Sequence, residues 1–127
     1  MKKVILVVEN DAALRQLLLD YIEFDQVYSV VAVENGFEAF KWLSANEAPD
    51  LVLTDFNMPG RGDLVARSVV RLNIPVMILT GWPLKAIQAL NDMDIIIPVV
   101  SKGQCLNTIM RLIDKMTGTK LTDQKAA

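Results

Sequence analysis

Four short apolar runs in this chain each end on a polar group. Residues 4–8 run into Glu9, Asn10 and Asp11. Residues 51–54 run into Asp55, residues 76–79 into Thr80 and Gly81, and residues 95–100 into Ser101 and Lys102. Continuous, β-branched runs of this kind are the mark of strands covered on both faces, which occur in parallel sheets. If the four lie parallel, their polar ends meet along one edge. In open α/β sheets that edge, outside the carboxyl ends of the strands, is where ligand sites form.

Helical periodicity fills the intervals. From residue 12 to 24, Leu14, Leu17, Leu18, Tyr21 and Ile22 fall on one stripe, and Asn10 or Asp11 can cap the helix start. Residues 28–33 read as another strand. Asn35-Gly36 then opens a helix through Phe37, Ala39, Phe40 and Leu43 that ends before Pro49. Residues 63–72 are predicted helical with Leu64, Val65, Val69 and Leu72 inward. Pro83 sits where a first-turn proline belongs, ahead of a short helix to Leu90. Pro98 has no N–H to donate, which places the strand predicted over 95–100 at an edge. A last helix is expected from Gly103 to Met116, with Leu106, Ile109, Met110 and Ile113 inward.

The result is a β/α unit repeated five times. Helical crossovers imply parallel strands with right-handed connections. The expected fold is a flavodoxin-like (βα)5 three-layer sandwich, its central five-stranded parallel sheet in the order 2-1-3-4-5. One domain is expected over residues 1–116, followed by a polar tail over 117–127.

Composition narrows the chemistry. The 127 residues include no histidine, which removes Ser-His and Cys-His nucleophilic catalysis. With one cysteine, Cys105, it also removes ordinary zinc sites and any internal disulfide. Cys105 is expected to be a small apolar residue near a helix start. A net charge of −2 gives no basic footprint for nucleic acid. No apolar run approaches the ~18 residues of a membrane span, and Met1-Lys2-Lys3 is followed by too short an apolar stretch for a signal peptide. The expected location is cytoplasmic, without nucleic-acid or membrane partners.

Asp55 stands where a strand gives way to a loop, with Glu9, Asn10 and Asp11 from a neighbouring strand end. Such oxygen donors suit a hard cation; Mg²⁺ uses one or two carboxylates and fills its other positions with water or phosphate oxygen. Lys102 adds a point charge, Thr80 a hydroxyl, and Gly81 room for close backbone approach. Together they could hold a transferring phosphoryl group, where positioning and charge stabilisation do most of the catalysis. A carboxylate can be the nucleophile. Singly, each has an ordinary structural role: Asn10 and Asp11 as caps, Lys102 as a solvated end, Thr80 as a strand residue. It is their joint order at four strand ends that points to a site.

These motifs resemble the receiver domain of bacterial two-component response regulators. The resemblance rests on Val7 to Asp11, Asn35 to Ala39, Asp50 to Asp55 with Met58-Pro59, Pro75 to Gly81, and Ser101-Lys102. It implies that Asp55 accepts a phosphoryl group from a sensor histidine kinase or histidine phosphotransfer protein. Glu9 and Asn10 occupy the acidic-pair positions that hold Mg²⁺ (or Mn²⁺), with the backbone carbonyl of Asn57 as a further ligand. Lys102 contacts the phosphoryl group, Thr80 is the switch hydroxyl, and a downstream protein target reads the outcome. Such a chain is a phosphoacceptor that promotes its own phosphorylation and dephosphorylation, not an enzyme acting on a separate substrate.

The chain departs from the family pattern in places. Asn10 replaces an aspartate, which weakens the metal site unless Asp11 compensates through water. Val99 stands where a switch aromatic is usual. Gly103 replaces a proline, and Ile95-Ile96 replaces Gly-Ala. Trp82, at a position that resembles the family's tuning site for dephosphorylation, is expected to shield an acyl phosphate from water. Asn10 and Val99 favour an alternative, a phosphate-independent protein-binding scaffold. An aspartyl-phosphate hydrolase is disfavoured because Asn57 supplies no second carboxylate. A flavin-binding flavodoxin is disfavoured because the loop after the first strand lacks a Ser/Thr/Gly phosphate cradle.

Overall fold

The first apolar run forms β1 (Lys3–Val8), the second strand of a five-stranded sheet. A computed structural model describes residues 2–56 and 62–119. β2 (Tyr28–Val33), β3 (Leu51–Thr54), β4 (Val76–Thr80) and β5 (Val99–Ser101) complete the sheet in the order β2-β1-β3-β4-β5. All neighbours are parallel. The flavodoxin-like arrangement expected from the sequence is the one observed.

Helices cover both faces. α1 (Ala12–Glu23) and α5 (Leu106–Thr117) pack on one side, where Leu18, Ile22, Ile109 and Ile113 meet Ile5, Leu53 and Met77. α2 (Gly36–Ala45), α3 (Gly62–Arg71) and α4 (Pro83–Asp92) cover the other. There Ala39, Val65 and Val69 pack on Leu6, Val8 and Val52. Ala66, Ala86 and Leu90 pack with Phe56 and Ile78. Every residue of β3 and β4 is buried, as a strand covered on both faces requires.

Several expectations need correction. The last strand is shorter than residues 95–100. Asp94 takes a left-handed φ of 57° and Ile95 N–H bonds back to Leu90, so residues 95–98 close the end of α4 instead of pairing along β4. The Pro98 carbonyl still accepts from Ile78 N–H, and β5 is an edge strand. The last helix begins at Leu106, not Gly103. On α1 the buried stripe is Leu18 and Ile22, while Leu17 and Tyr21 face outward. On α3, Leu72 lies past the helix end and is exposed, and Leu64 is only half-buried; Val65, Ala66 and Val69 form the inner face. Cys105 is the N-cap of α5 and is exposed rather than packed.

Candidate functional site

Backbone register brings the polar strand ends together. Val8 pairs with Thr54, Thr54 with Ile78, and Thr80 with Ser101. The residues that follow continue the ladders: Asp55 N–H donates to the Val8 carbonyl at 3.0 Å, and Lys102 N–H to that of Thr80 at 2.8 Å. Glu9 N–H donates to Val33 O at 3.0 Å. Glu9, Asp55 and Lys102 are therefore fixed by the sheet at its carboxyl edge.

There the Lys102 ammonium bridges the two carboxylates. Nζ lies 2.8 Å from Asp55 Oδ2 and 2.9 Å from Glu9 Oε1. Glu9 is 1% exposed and Asp55 5% exposed, so both charges need compensation within the protein. Burial pulls the lysine pKa down, but its hydrogen bonds to Asp55 and Glu9 and their charge outweigh this and hold it above the ordinary value. The Glu9 carboxylate also accepts from Asp11 N–H through Oε2 at 3.0 Å.

The other expected residues have separate local partners. Asp11 caps α1, its Oδ1 accepting from Ala13 and Leu14 N–H, which settles the choice between Asn10 and Asp11. Asn10 is exposed at the rim. Thr80 is fully buried, and its hydroxyl accepts from Trp82 N–H at 3.2 Å, within its own loop. Val99 is half-buried and packs with the cluster of Ile78 and Leu90. Trp82 is 64% exposed, which rules out a core role. With Phe56, Lys85, Gln88, Ala89 and Asp92 it lines a groove of about 490 Å³. Asn57, Met58 and Pro59 lie outside the described residues.

Among the described residues a Cβ placed at Gly81 would meet nothing within 4 Å, so the glycine borders open space. Close packing of backbone on backbone occurs instead at Gly62, the first residue of α3. A Cβ there would stand 2.1 Å from the Asp55 carbonyl oxygen and 2.7 Å from that of Phe56. The Asp55 carbonyl also accepts from Thr54 Oγ1 at 2.9 Å. Sequence reasoning missed Gly62, and it missed Arg15, whose Nη1 donates to the Glu9 carbonyl at 2.9 Å. The α1 periodicity placed Arg15 off the apolar stripe but did not show that it folds back over the helix start.

The donor set suits a hard divalent cation. Among the described residues no group of three or more His, Cys, Asp or Glu side chains could hold a metal ion. Two carboxylates converge here, and that number is within the range Mg²⁺ uses.

Comparison with known proteins agrees with this fold. A family model described as the response regulator receiver domain matches residues 5–113. The response regulator TrrA of Thermotoga maritima, solved in complex with Mg²⁺-BeF, is 26% identical with a TM-score of 0.76, over 90% of this chain and 98% of that one. The non-phosphorylated HemR receiver domain of Leptospira biflexa is 25% identical with a TM-score of 0.77, over 91% and 94%. A structure described as an adenylate cyclase from Rhodopirellula baltica shares the fold at 23% identity and a TM-score of 0.78, over 99% and 96%. No curated protein matches the chain.

Proposed function

We propose a function from one established premise: the chain belongs to the response regulator receiver domain family, whose model spans residues 5–113. It is a phosphoacceptor of a two-component system, with Asp55 as the acceptor, a phosphohistidine of a kinase or phosphotransfer protein as donor, and a protein target downstream. The observation that carries this is the buried Asp55 carboxylate at the sheet's carboxyl edge, 2.8 Å from the Lys102 ammonium. Among the described residues no helix is long and apolar enough to cross a membrane, and we place the chain in the cytoplasm with its kinase.

In the transfer an Asp55 carboxylate oxygen attacks phosphorus. The phosphorus–nitrogen bond to the donor imidazole breaks, and the imidazole keeps the electron pair. Lys102, already on Asp55 Oδ2, is placed to move onto a phosphoryl oxygen as the carboxylate charge is spent in the new bond. Glu9 remains as its second counter-ion. Glu9 and Asp55, with Asn10 as a neutral oxygen donor, would hold Mg²⁺, which when bound neutralises charge on the phosphoryl oxygens. Thr80 gives up Trp82 N–H to hydrogen-bond the phosphoryl group. This frees the start of α4, where Trp82 is the N-cap without a side-chain capping bond, to change its contacts. The chain does not act on a separate substrate; it forms and hydrolyses its own acyl phosphate.

Transfer from a phosphorylated histidine kinase is the test. Label is expected to move to this chain and to be absent from Asp55→Asn.

One alternative has specific support. Half-buried Val99 carries no aromatic ring to follow Thr80, which favours a scaffold whose partners bind regardless of phosphate. Partner affinity that is equal with and without phosphorylation would select it.

A further inference from the structure

Glu9 is held at nearly every polar atom. Its N–H donates to Val33 O at 3.0 Å, and its carboxylate takes Lys102 Nζ and Asp11 N–H. Its carbonyl accepts from Arg15 Nη1 at 2.9 Å. Arg15 lies on the first turns of α1, where its own N–H donates to the Asp11 carbonyl at 2.9 Å. Its half-buried side chain therefore reaches back across the turn formed by Asn10 and Asp11. Both of those residues are exposed, so packing does little to fix the turn and its hydrogen bonds set its shape.

We propose that Arg15 is a positioning residue for the cation site: by clamping the Glu9 carbonyl to α1 it fixes the Glu9 carboxylate and the Asn10 amide where a divalent cation meets them. The inference rests on the phosphoacceptor function proposed above. The bond goes to backbone, not to the Glu9 carboxylate, so the guanidinium does not neutralise the acid that must bind metal. Its planar fork of donors holds a fixed direction that a flexible ammonium holds less well. With Asn10 in place of a charged ligand, Mg²⁺ binding depends more heavily on where Glu9 stands. Residues that orient metal ligands in this way change affinity by roughly 10–100-fold when lost.

Two effects of Arg15 have opposite signs, which makes the test decisive. As a nearby positive charge, Arg15 repels Mg²⁺, and removing it would tighten binding. As a positioning residue, its removal loosens binding. Mg²⁺ titration by calorimetry on the full chain, with Arg15→Met, Arg15→Gln and Arg15→Lys, separates them. Hydrogen exchange of the Asp11 amide, which donates to Glu9 Oε2, reports the turn without metal. The expected result is Mg²⁺ affinity roughly tenfold weaker in the Met and Gln variants. The Asp11 amide exchanges faster in both, and Lys recovers part of each effect through its own donor. Affinity equal to or tighter than wild type in both neutral variants, with wild type binding normally, overturns the Arg15 inference alone. No Mg²⁺ binding by wild type overturns it together with the metal site it serves.

Discussion

Lys102 Nζ stands 2.8 Å from Asp55 Oδ2, and the same ammonium reaches Glu9 Oε1 at 2.9 Å. One lysine thus compensates two buried carboxylates from different strands. Lys102→Met leaves both without it. Because the lysine side chain is 26% exposed, the loss is smaller than for a fully buried pair, about 1–3 kcal/mol at neutral pH by urea denaturation. The pH dependence has a definite sign. The Lys102 pKa is raised in the folded state, so its contribution is complete below the ordinary lysine value of 10.5 and is lost as pH climbs through the raised value. The stability gap between wild type and Lys102→Met should close over that alkaline range.

At the opposite pole of the sheet, Tyr28 donates its hydroxyl hydrogen to Asp114 Oδ1 at 2.6 Å, and Asp114 Oδ2 is buried without a hydrogen-bond partner among the described residues. Burial first, then the bond to Asp114, raises the phenol pKa. Tyr28→Phe strands the carboxylate and should cost about 1–3 kcal/mol. Replacing both partners with Tyr28→Phe and Asp114→Leu should recover part of that loss in a double-mutant cycle.

Two glycines near the site should behave oppositely. Gly62→Ala drives a methyl into the Asp55 and Phe56 carbonyls, at 2.1 and 2.7 Å, and backbone cannot yield as a flexible side chain can. It should cost about 1–3 kcal/mol or more and slow phosphorylation of Asp55. Gly81→Ala meets nothing within 4 Å and should stay within about 0.5 kcal/mol of wild type in the same thermal and denaturant melts.

The strand ends were legible because a parallel strand is a run of apolar residues and its terminus is the next polar one. The sequence therefore places Glu9, Asp55, Thr80 and Lys102 at one edge, and the register of β1, β3, β4 and β5 brings them there. The run at 95–100 misled because apolar residues that cover the end of α4 look like strand in one dimension. Only the left-handed Asp94 and the Ile95 bond to Leu90 distinguish them. Leu17 and Tyr21 misled because periodicity gives a stripe but not its width. Arg15, Gly62 and the Tyr28–Asp114 pair were not legible at all. Each depends on a contact between elements, or on a side chain folding back, that no local pattern encodes.

Asn10→Asp tests the charge count at the metal site. Asn10 is exposed at the rim beside Glu9, and a third carboxylate there should raise Mg²⁺ affinity by roughly tenfold, the scale of a ~1–2 kcal/mol charge interaction near water. Calorimetric titration of both chains reads it directly. Without metal the variant should be slightly less stable, since one lysine then faces three acids.

The most direct measurement is the intact mass of the chain after incubation with Mg²⁺ and a small acyl-phosphate donor, with Asp55→Asn in parallel. A phosphoacceptor at Asp55 predicts the mass of one added phosphoryl group, lost on removal of Mg²⁺ during the incubation and absent from Asp55→Asn. Persistence of the added mass in Asp55→Asn, or no addition from either the small donor or phosphorylated kinases, would contradict it.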